Sequence, residues 1–159
     1  MKVIVPVVMI ALAVSLSFAQ TGGASAVTAE MRNAANDAYQ KQDWKAAASA
    51  YEAIVKAEQK NAGAAYRLGL SLLNLNDPAM ATKHLEAAMA ISPNTAFALA
   101  LARAQARGSQ VEKMYATFEQ SLKLGGIAAE ALNSEKDFAA VRGEAKFAEY
   151  VKKLDAVAV

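Results

Sequence analysis

The side chains that could do chemistry in this chain of 159 residues are few and scattered. The single histidine, His84, stands near Lys83 and Glu86, and the sequence contains no cysteine. A usual zinc site needs three or four nitrogen, sulfur or oxygen ligands, so one histidine without cysteine cannot build one. We therefore interpret His84 as a solvated helix residue and expect no metal and no cofactor.

Motifs of nucleophilic and phosphate chemistry are also missing from the sequence. It has no G-x-S-x-G nucleophile elbow, no phosphate-binding glycine loop and no H-E-x-x-H zinc motif. Gly125-Gly126 is better interpreted as the end of a helix, where glycine readily adopts the left-handed conformation. Acidic residues such as Glu144 and Glu149 fall where a solvated charge is the default. The sequence thus predicts a protein that is not an enzyme.

A repeat in the sequence indicates which elements position the remaining polar side chains. Residues 43–47 and 51–53 recur as residues 77–81 and 85–87, at an offset of 34 positions. A fixed period of this size with helical composition is typical of stacked helix-turn-helix units. We therefore predict an all-α fold in which each unit is a pair of helices.

Short polar residues mark the beginnings of these helices, because their side-chain oxygens can accept hydrogen bonds from the free amides of a first turn. The residues predicted to cap the first helices of the pairs, and then the second helices, are Thr28, Asn61, Asn94, Asp43, Asp77 and Ser109. The sequence Ser109-Gln110-Val111-Glu112 further suggests a capping box, in which serine and glutamate satisfy each other's end of the turn.

The small and large residues inside these limits resemble the tetratricopeptide repeat. The three copies fit at Ala34-Ala35, Ala47 and Tyr51, then at Leu68-Gly69, Leu72, Ala81, Leu85, Ala88 and Pro93, and, shortened by one residue, at Leu101-Ala102, Met114 and Phe118. A small residue lets helix axes approach, and a larger neighbour fills the groove beside it. The resemblance implies a right-handed helical-hairpin solenoid of three repeats, over about 28–61, 62–94 and 95–126, followed by C-terminal capping helices over 127–159.

The C-terminal region carries a second resemblance, to the segment that often closes bacterial arrays of this family. Asp137-Phe138, Val141-Arg142 and Phe147 match its pattern. A stack of repeats exposes the apolar face of its last helix, and a terminal unit with one polar side must cover that face. The residues expected to cover it are Phe138, Val141, Phe147, Tyr150, Val151 and Leu154.

In this family the first helix of each pair lines a concave groove, and the resemblance implies which side chains face it. The candidates are Arg32, Asn36, Tyr66, Arg67, Leu70, Leu99, Arg103 and Arg107. Arg32 and Asn36 resemble the first part of the clamp by which some members hold a peptide's C-terminal carboxylate. Arg67 stands where that clamp has asparagine. Its later basic residues are replaced by Ala96 and Ala100, or by Phe97 and Leu101 if the register shifts by one, so the clamp is incomplete. Two specificities stay open, one for acidic or carboxylate-bearing peptides and a more general one.

The N terminus has the pattern of a secretory signal peptide. Lys2 precedes an apolar run from Val3 to Leu16, and small residues precede a predicted cleavage after Ala19. The run is shorter than the roughly 20 residues that span a bilayer. This pattern predicts a bacterial periplasmic or secreted protein with a flexible leader over 20–27 and no integral membrane segment after processing. Removing Lys2 from the 17 basic residues leaves 16 against 15 acidic ones, a balance that argues against nucleic-acid binding.

Together these features predict an exported protein–protein interaction scaffold whose groove binds a peptide segment of an envelope partner. The alternative is a structural adaptor or subunit that docks onto a membrane-associated complex through its outer face, including residues 44–58, or through its uncapped N-terminal end. A third candidate is an enzyme accessory that presents a catalytic partner without catalysing. Met31 has no preceding repeat to cover it, which makes self-association a further candidate.

Overall fold

A computed structural model describes residues 26–157, and this part of the chain is helical without any strand. The predicted signal peptide, residues 1–19, and residues 20–25 of the predicted leader lie outside the described residues. The α-helices are α1 (Ala29–Gln40), α2 (Trp44–Ala57), α3 (Ala62–Asn74), α4 (Pro78–Ile91), α5 (Thr95–Arg107), α6 (Val111–Leu122), α7 (Ala129–Ser134) and α8 (Ala145–Val157). A single 3-10 turn, Lys136–Phe138, lies between α7 and α8. The predicted all-α fold class is confirmed.

Each of the first five helices packs against the next one, so that three helical hairpins stack in chain order. Small residues stand where the helices come closest. Ala35, Ala47 and Ala81 have no exposed surface. At Gly69 an added Cβ would lie 2.5 Å from Cγ of Leu85 on α4, so only glycine fits there without a shift. The small and large positions predicted for the first two hairpins therefore meet as predicted.

The three hairpins share one turn geometry. After α1, α3 and α5, the chain passes through a residue with positive φ, namely Gln42 (58°), Asn76 (60°) and Ser109 (56°). The next amide then donates to the carbonyl five residues back, over N···O distances of 2.9 Å at Asp43, 2.9 Å at Asp77 and 2.8 Å at Gln110. The repeat seen in the sequence is thus a repeat of backbone conformation, and it extends to the third hairpin.

Five of the six predicted helix caps are confirmed. Each side-chain oxygen accepts from the amide three residues on, at Thr28, Asp43, Asn61, Asp77 and Asn94. The cap and capping box predicted at Ser109 are wrong. Ser109 occupies the left-handed position of the shared turn, so α6 begins one residue later, after Gln110, whose side chain makes no capping bond.

The core divides into two hydrophobic clusters. The smaller one lies in the first hairpin and the start of α3, and it consists of Ala35, Ala47, Tyr51, Ile54, Ala64 and Leu68. The larger one runs from Leu73 at the end of α3 to Leu154 in α8. The partly buried Leu72 packs against both clusters.

The C-terminal helices cover the apolar face of α6. Phe118 of α6 stacks on Tyr150, with ring centroids 4.7 Å apart, and meets Phe138 and Phe147 edge-on at 5.3 and 6.2 Å. Val141 and Leu154 are buried and Val151 is partly buried, which confirms the predicted covering face. The Gly125-Gly126 pair ends α6 as predicted, with both φ angles positive and the amide of Gly126 2.8 Å from the Ser121 carbonyl oxygen.

Candidate functional site

A pocket of about 230 Å³ opens between the first and second hairpins. Its lining residues are Arg32, Asn36, Tyr51, Ile54, Asn61, Gly63, Ala64 and Arg67. Arg32 and Asn36 lie on one face of α1 because they are one helical turn apart, and the packing of α2 on α3 brings Arg67 beside them. The pocket therefore brings together three side chains that the sequence predicted for a ligand-binding groove.

Arg67 is the central charge of this pocket, and neutral groups hold it. Its Nη1 donates to the hydroxyl oxygen of Tyr51, 2.9 Å away, and to Oδ1 of Asn36. Its guanidinium carbon lies 5.5 Å from the ring centre of Tyr39 and 5.9 Å from that of Tyr51, within the range of cation–π attraction. Within residues 26–157 no carboxylate forms a salt bridge with Arg67, so its positive charge is uncompensated there.

Arg32, by contrast, already has an acidic partner. Its Nη2 contacts Oε1 of Glu58, the residue that follows α2. Oε2 of the same carboxylate accepts from Nδ2 of Asn61 at 2.8 Å, and Oδ1 of Asn61 caps α3. Hydrogen bonds from Asn61 and Arg32 lower the pKa of Glu58 below its ordinary value. Glu58 could not be predicted from the sequence, because its contact with Arg32 joins residues 26 positions apart.

In the third hairpin, the two arginines predicted to face a ligand form salt bridges with Asp137 of the same chain instead. Nε of Arg103 lies 2.9 Å from Oδ2 of Asp137, and Nε of Arg107 lies 2.8 Å from Oδ1. The Asp137 side chain is only 5% exposed. Arg107 also donates from Nη1 to the carbonyl of Leu73 at 2.7 Å, and Arg103 pairs with Glu135 at 3.1 Å. We therefore place both arginines in a structural cluster rather than in the ligand-binding site.

Burial by itself raises the pKa of Asp137, but the hydrogen bonds and positive charges of Arg107 and Arg103 outweigh burial and hold this pKa below its ordinary value of 3.8. The neighbouring Arg142 donates to the carbonyls of Leu132 and Glu135, which lie near the end of α7. The acidic and arginine positions of the predicted closing pattern thus tie the C-terminal segment to the third hairpin and to α7.

A stacked aromatic pair connects the second and third hairpins on the side of the first helices. Tyr66 of α3 lies on Phe97 of α5, with ring centroids 4.5 Å apart and planes inclined by 22°. Both rings are partly exposed. Leu70 and Leu99 are likewise partly buried, and both pack against the larger cluster. Phe97 was not among the predicted site residues, although its stacking partner Tyr66 was.

The described residues offer binding groups rather than a metal centre. Residues 26–157 contain no group of three histidine, cysteine or acidic side chains that could hold a metal ion. His84 is partly buried on α4, and burial followed by the charge of Lys83 lowers its pKa. Over the same residues, no helix has both the length and the apolar character needed to cross a membrane.

Comparison of the chain with protein-family models and with curated proteins finds no match. The candidate site consists of an uncompensated guanidinium in a pocket, a second arginine neutralised by a glutamate, and a stacked aromatic pair that includes Tyr66, the residue before Arg67 in α3. Such an arrangement can bind an anionic or aromatic ligand, because arginine forms paired hydrogen bonds with carboxylates and aromatic rings supply apolar contact area.

Proposed function

We propose that this protein is an exported scaffold of the tetratricopeptide type, which binds a peptide segment of a partner protein on the face formed by α1, α3 and α5. The observation that carries the proposal is Arg67. A partly buried guanidinium without an acidic partner is costly unless another group neutralises it. A ligand in the adjoining pocket could supply that group.

The surroundings of Arg67 support a protein ligand. Arginine and tyrosine are among the residues enriched at the energetic centres of protein interfaces. Arg67 lies against Tyr39 and Tyr51 and follows Tyr66 in the sequence. The shared turn and the stacked hairpins support the proposed family, whose members are binding scaffolds. Export to the periplasm or beyond rests on the sequence pattern of residues 1–19.

Charge reversal on the two faces tests the proposal. The tagged chain is crosslinked in cells and partners are identified by co-purification. We expect the double variant Arg32→Glu with Arg67→Glu to lose the captured partner. The matched control reverses two exposed charges on α2 and α4, Lys45→Glu with Lys83→Glu, and should keep it. Unchanged capture by the first variant would rule out binding at this face.

The alternative function, docking through the outer face onto a membrane-associated complex, has one observation in its favour. Three large apolar side chains of the second hairpin are exposed, namely Leu75 (44%), Met80 (41%) and Ile91 (38%). Large exposed apolar side chains can belong to an interaction surface. This alternative would be favoured if Met80→Glu loses the partner while the double variant Arg32→Glu with Arg67→Glu still captures it.

A further inference from the structure

We propose that the bound segment carries one carboxylate, held by Arg67, close in sequence to an aromatic or large aliphatic side chain, held on the Tyr66–Phe97 pair. This inference rests on the proposed function and names the chemistry of its ligand. The pocket around Arg67, the stacked aromatic rings and the salt-bridged arginines of the third hairpin together determine which peptide would bind.

The hydrogen bonds of Arg67 leave one side of its guanidinium available. Only Nη1 donates to described residues, and it donates to the neutral oxygens of Tyr51 and Asn36. A guanidinium has five N–H donors in a fixed plane. The Nε and Nη2 donors therefore remain for a ligand, and these two can bind both oxygens of one carboxylate. Because the Tyr39 and Tyr51 rings fix the plane of the guanidinium, little side-chain freedom would be lost on binding.

The charges in the pocket indicate that one ligand carboxylate is enough to neutralise it. Arg32 and Arg67 contribute two positive charges, and the Glu58 carboxylate on Arg32 contributes one negative charge. One ligand carboxylate brings the balance to zero, and a second would meet Glu58 without a free cation. We therefore infer a segment with a single acidic residue, or with a free C terminus, rather than a run of acidic residues.

The aromatic pair supplies the second anchor. Tyr66 precedes Arg67 in α3, so a ligand that touches both contacts neighbouring positions of one helix. An extended chain advances about 3.3 Å per residue, which places the two ligand side chains within a few residues of each other. The exposed parts of Tyr66 and Phe97 offer apolar area that favours an aromatic or aliphatic side chain.

The third hairpin determines which end of the bound segment carries the carboxylate. Beyond the aromatic pair, Arg103 and Arg107 are occupied by Asp137, and Glu135 adds a further negative charge beside Arg103. The two positive charges of these arginines are balanced by the two acidic side chains, so a ligand carboxylate in that direction would find no free arginine among them. Arg67, by contrast, has no acidic partner among the described residues, and this difference in attraction favours one orientation of the segment. The carboxylate therefore belongs at the end of the segment nearest α1.

Selection of peptides on the purified chain tests this inference. A library of random peptides with free C termini is selected on the immobilised chain, and the enriched sequences are compared. We expect an acidic residue or the C terminus within a few positions of an aromatic or aliphatic residue. The dissociation constant of a selected peptide is then measured by fluorescence anisotropy, beside a copy in which the carboxylate is replaced by an amide.

Two variants and one control test which protein side chain binds each group of the peptide. Arg67→Met should weaken the carboxylate peptide about tenfold and leave it no tighter than its amide copy. Phe97→Ala should remove the preference for the aromatic residue over alanine in the peptide. Lys83→Met, which removes one positive charge from α4, should change neither preference. Thermal unfolding of each variant shows whether the protein remains folded.

The possible results separate the ligand chemistry from the binding face. Selected peptides without a carboxylate, or a carboxylate preference that survives Arg67→Met in the folded protein, would overturn the inference. If such peptides still lose affinity in Phe97→Ala, the proposed binding face stands. Selection of no peptide, or binding that only Met80→Glu weakens, would overturn the proposed function as well.

Discussion

Replacing Asp137 with asparagine should destabilise the protein by about 3 kcal/mol. Two N–H···O bonds of 2.9 and 2.8 Å join this carboxylate to Arg103 and Arg107, and hydrogen bonds to charged groups contribute about 1.5–3 kcal/mol each. The two arginines are about a quarter exposed, so solvent screens the interaction and the low end of the range applies. Asparagine keeps one acceptor but turns the other atom into a donor that faces an arginine N–H.

Urea and thermal unfolding followed by circular dichroism measure this loss. A loss of about 3 kcal/mol corresponds to a decrease in Tm of about 10 °C for a domain of this size. The matched control is Asp155→Asn, because Asp155 is exposed on α8, and it should change the free energy of unfolding by less than about 0.5 kcal/mol. A change at Asp137 no larger than that at Asp155 would refute the structural role of this cluster.

Three further predictions follow from the described contacts. The pKa of Asp137 is lower in the folded protein than its ordinary value of 3.8. Its stabilising effect is therefore complete above about pH 4 and is lost as pH falls through the folded-state pKa. In acid unfolding, the Asp137→Asn variant should lack this loss of stability. Gly69→Ala should cost about 2 kcal/mol in urea unfolding, since its Cβ would overlap a leucine of α4, whereas Gly143→Ala has nothing within 4 Å and should not. Glu58→Gln should lower the dissociation constant of a carboxylate peptide severalfold in anisotropy titrations, because it frees Arg32; an unchanged constant would place the ligand elsewhere.

The helix boundaries could be predicted because their causes are local. A capping oxygen acts on an amide three residues away, so Thr28, Asp43 and Asn61 mark their helices in the sequence alone. Ser109 shows where this reasoning fails. Its residue type suits a cap, but the third hairpin uses the same turn as the first two, and that turn places Ser109 at positive φ. In the shared turn, Ser109 is therefore equivalent to Gln42 rather than to Asp43.

The site could be predicted only in part, because its energetics depend on contacts between distant residues. Helical spacing and the family resemblance predict Arg32, Asn36 and Arg67, and the structure brings these three residues to one pocket. Residue type alone could not separate Arg67 from Arg103. The difference between them is Asp137, which lies 34 residues after Arg103 and neutralises it. An arginine becomes a candidate for ligand binding only when its intramolecular partners are known.

From the division of the core into two clusters we expect two levels of stability in this molecule. The first hairpin is held by six buried residues, whereas the larger cluster extends through the remaining helices. We expect α1 and α2 to open without unfolding the rest, and hydrogen exchange should show weaker protection of their amides. A peptide bound to Arg67 between the hairpins would join α1 to α3 and suppress that opening, by an amount set by its concentration and affinity. The partner would then complete the folding of the hairpin that it recognises.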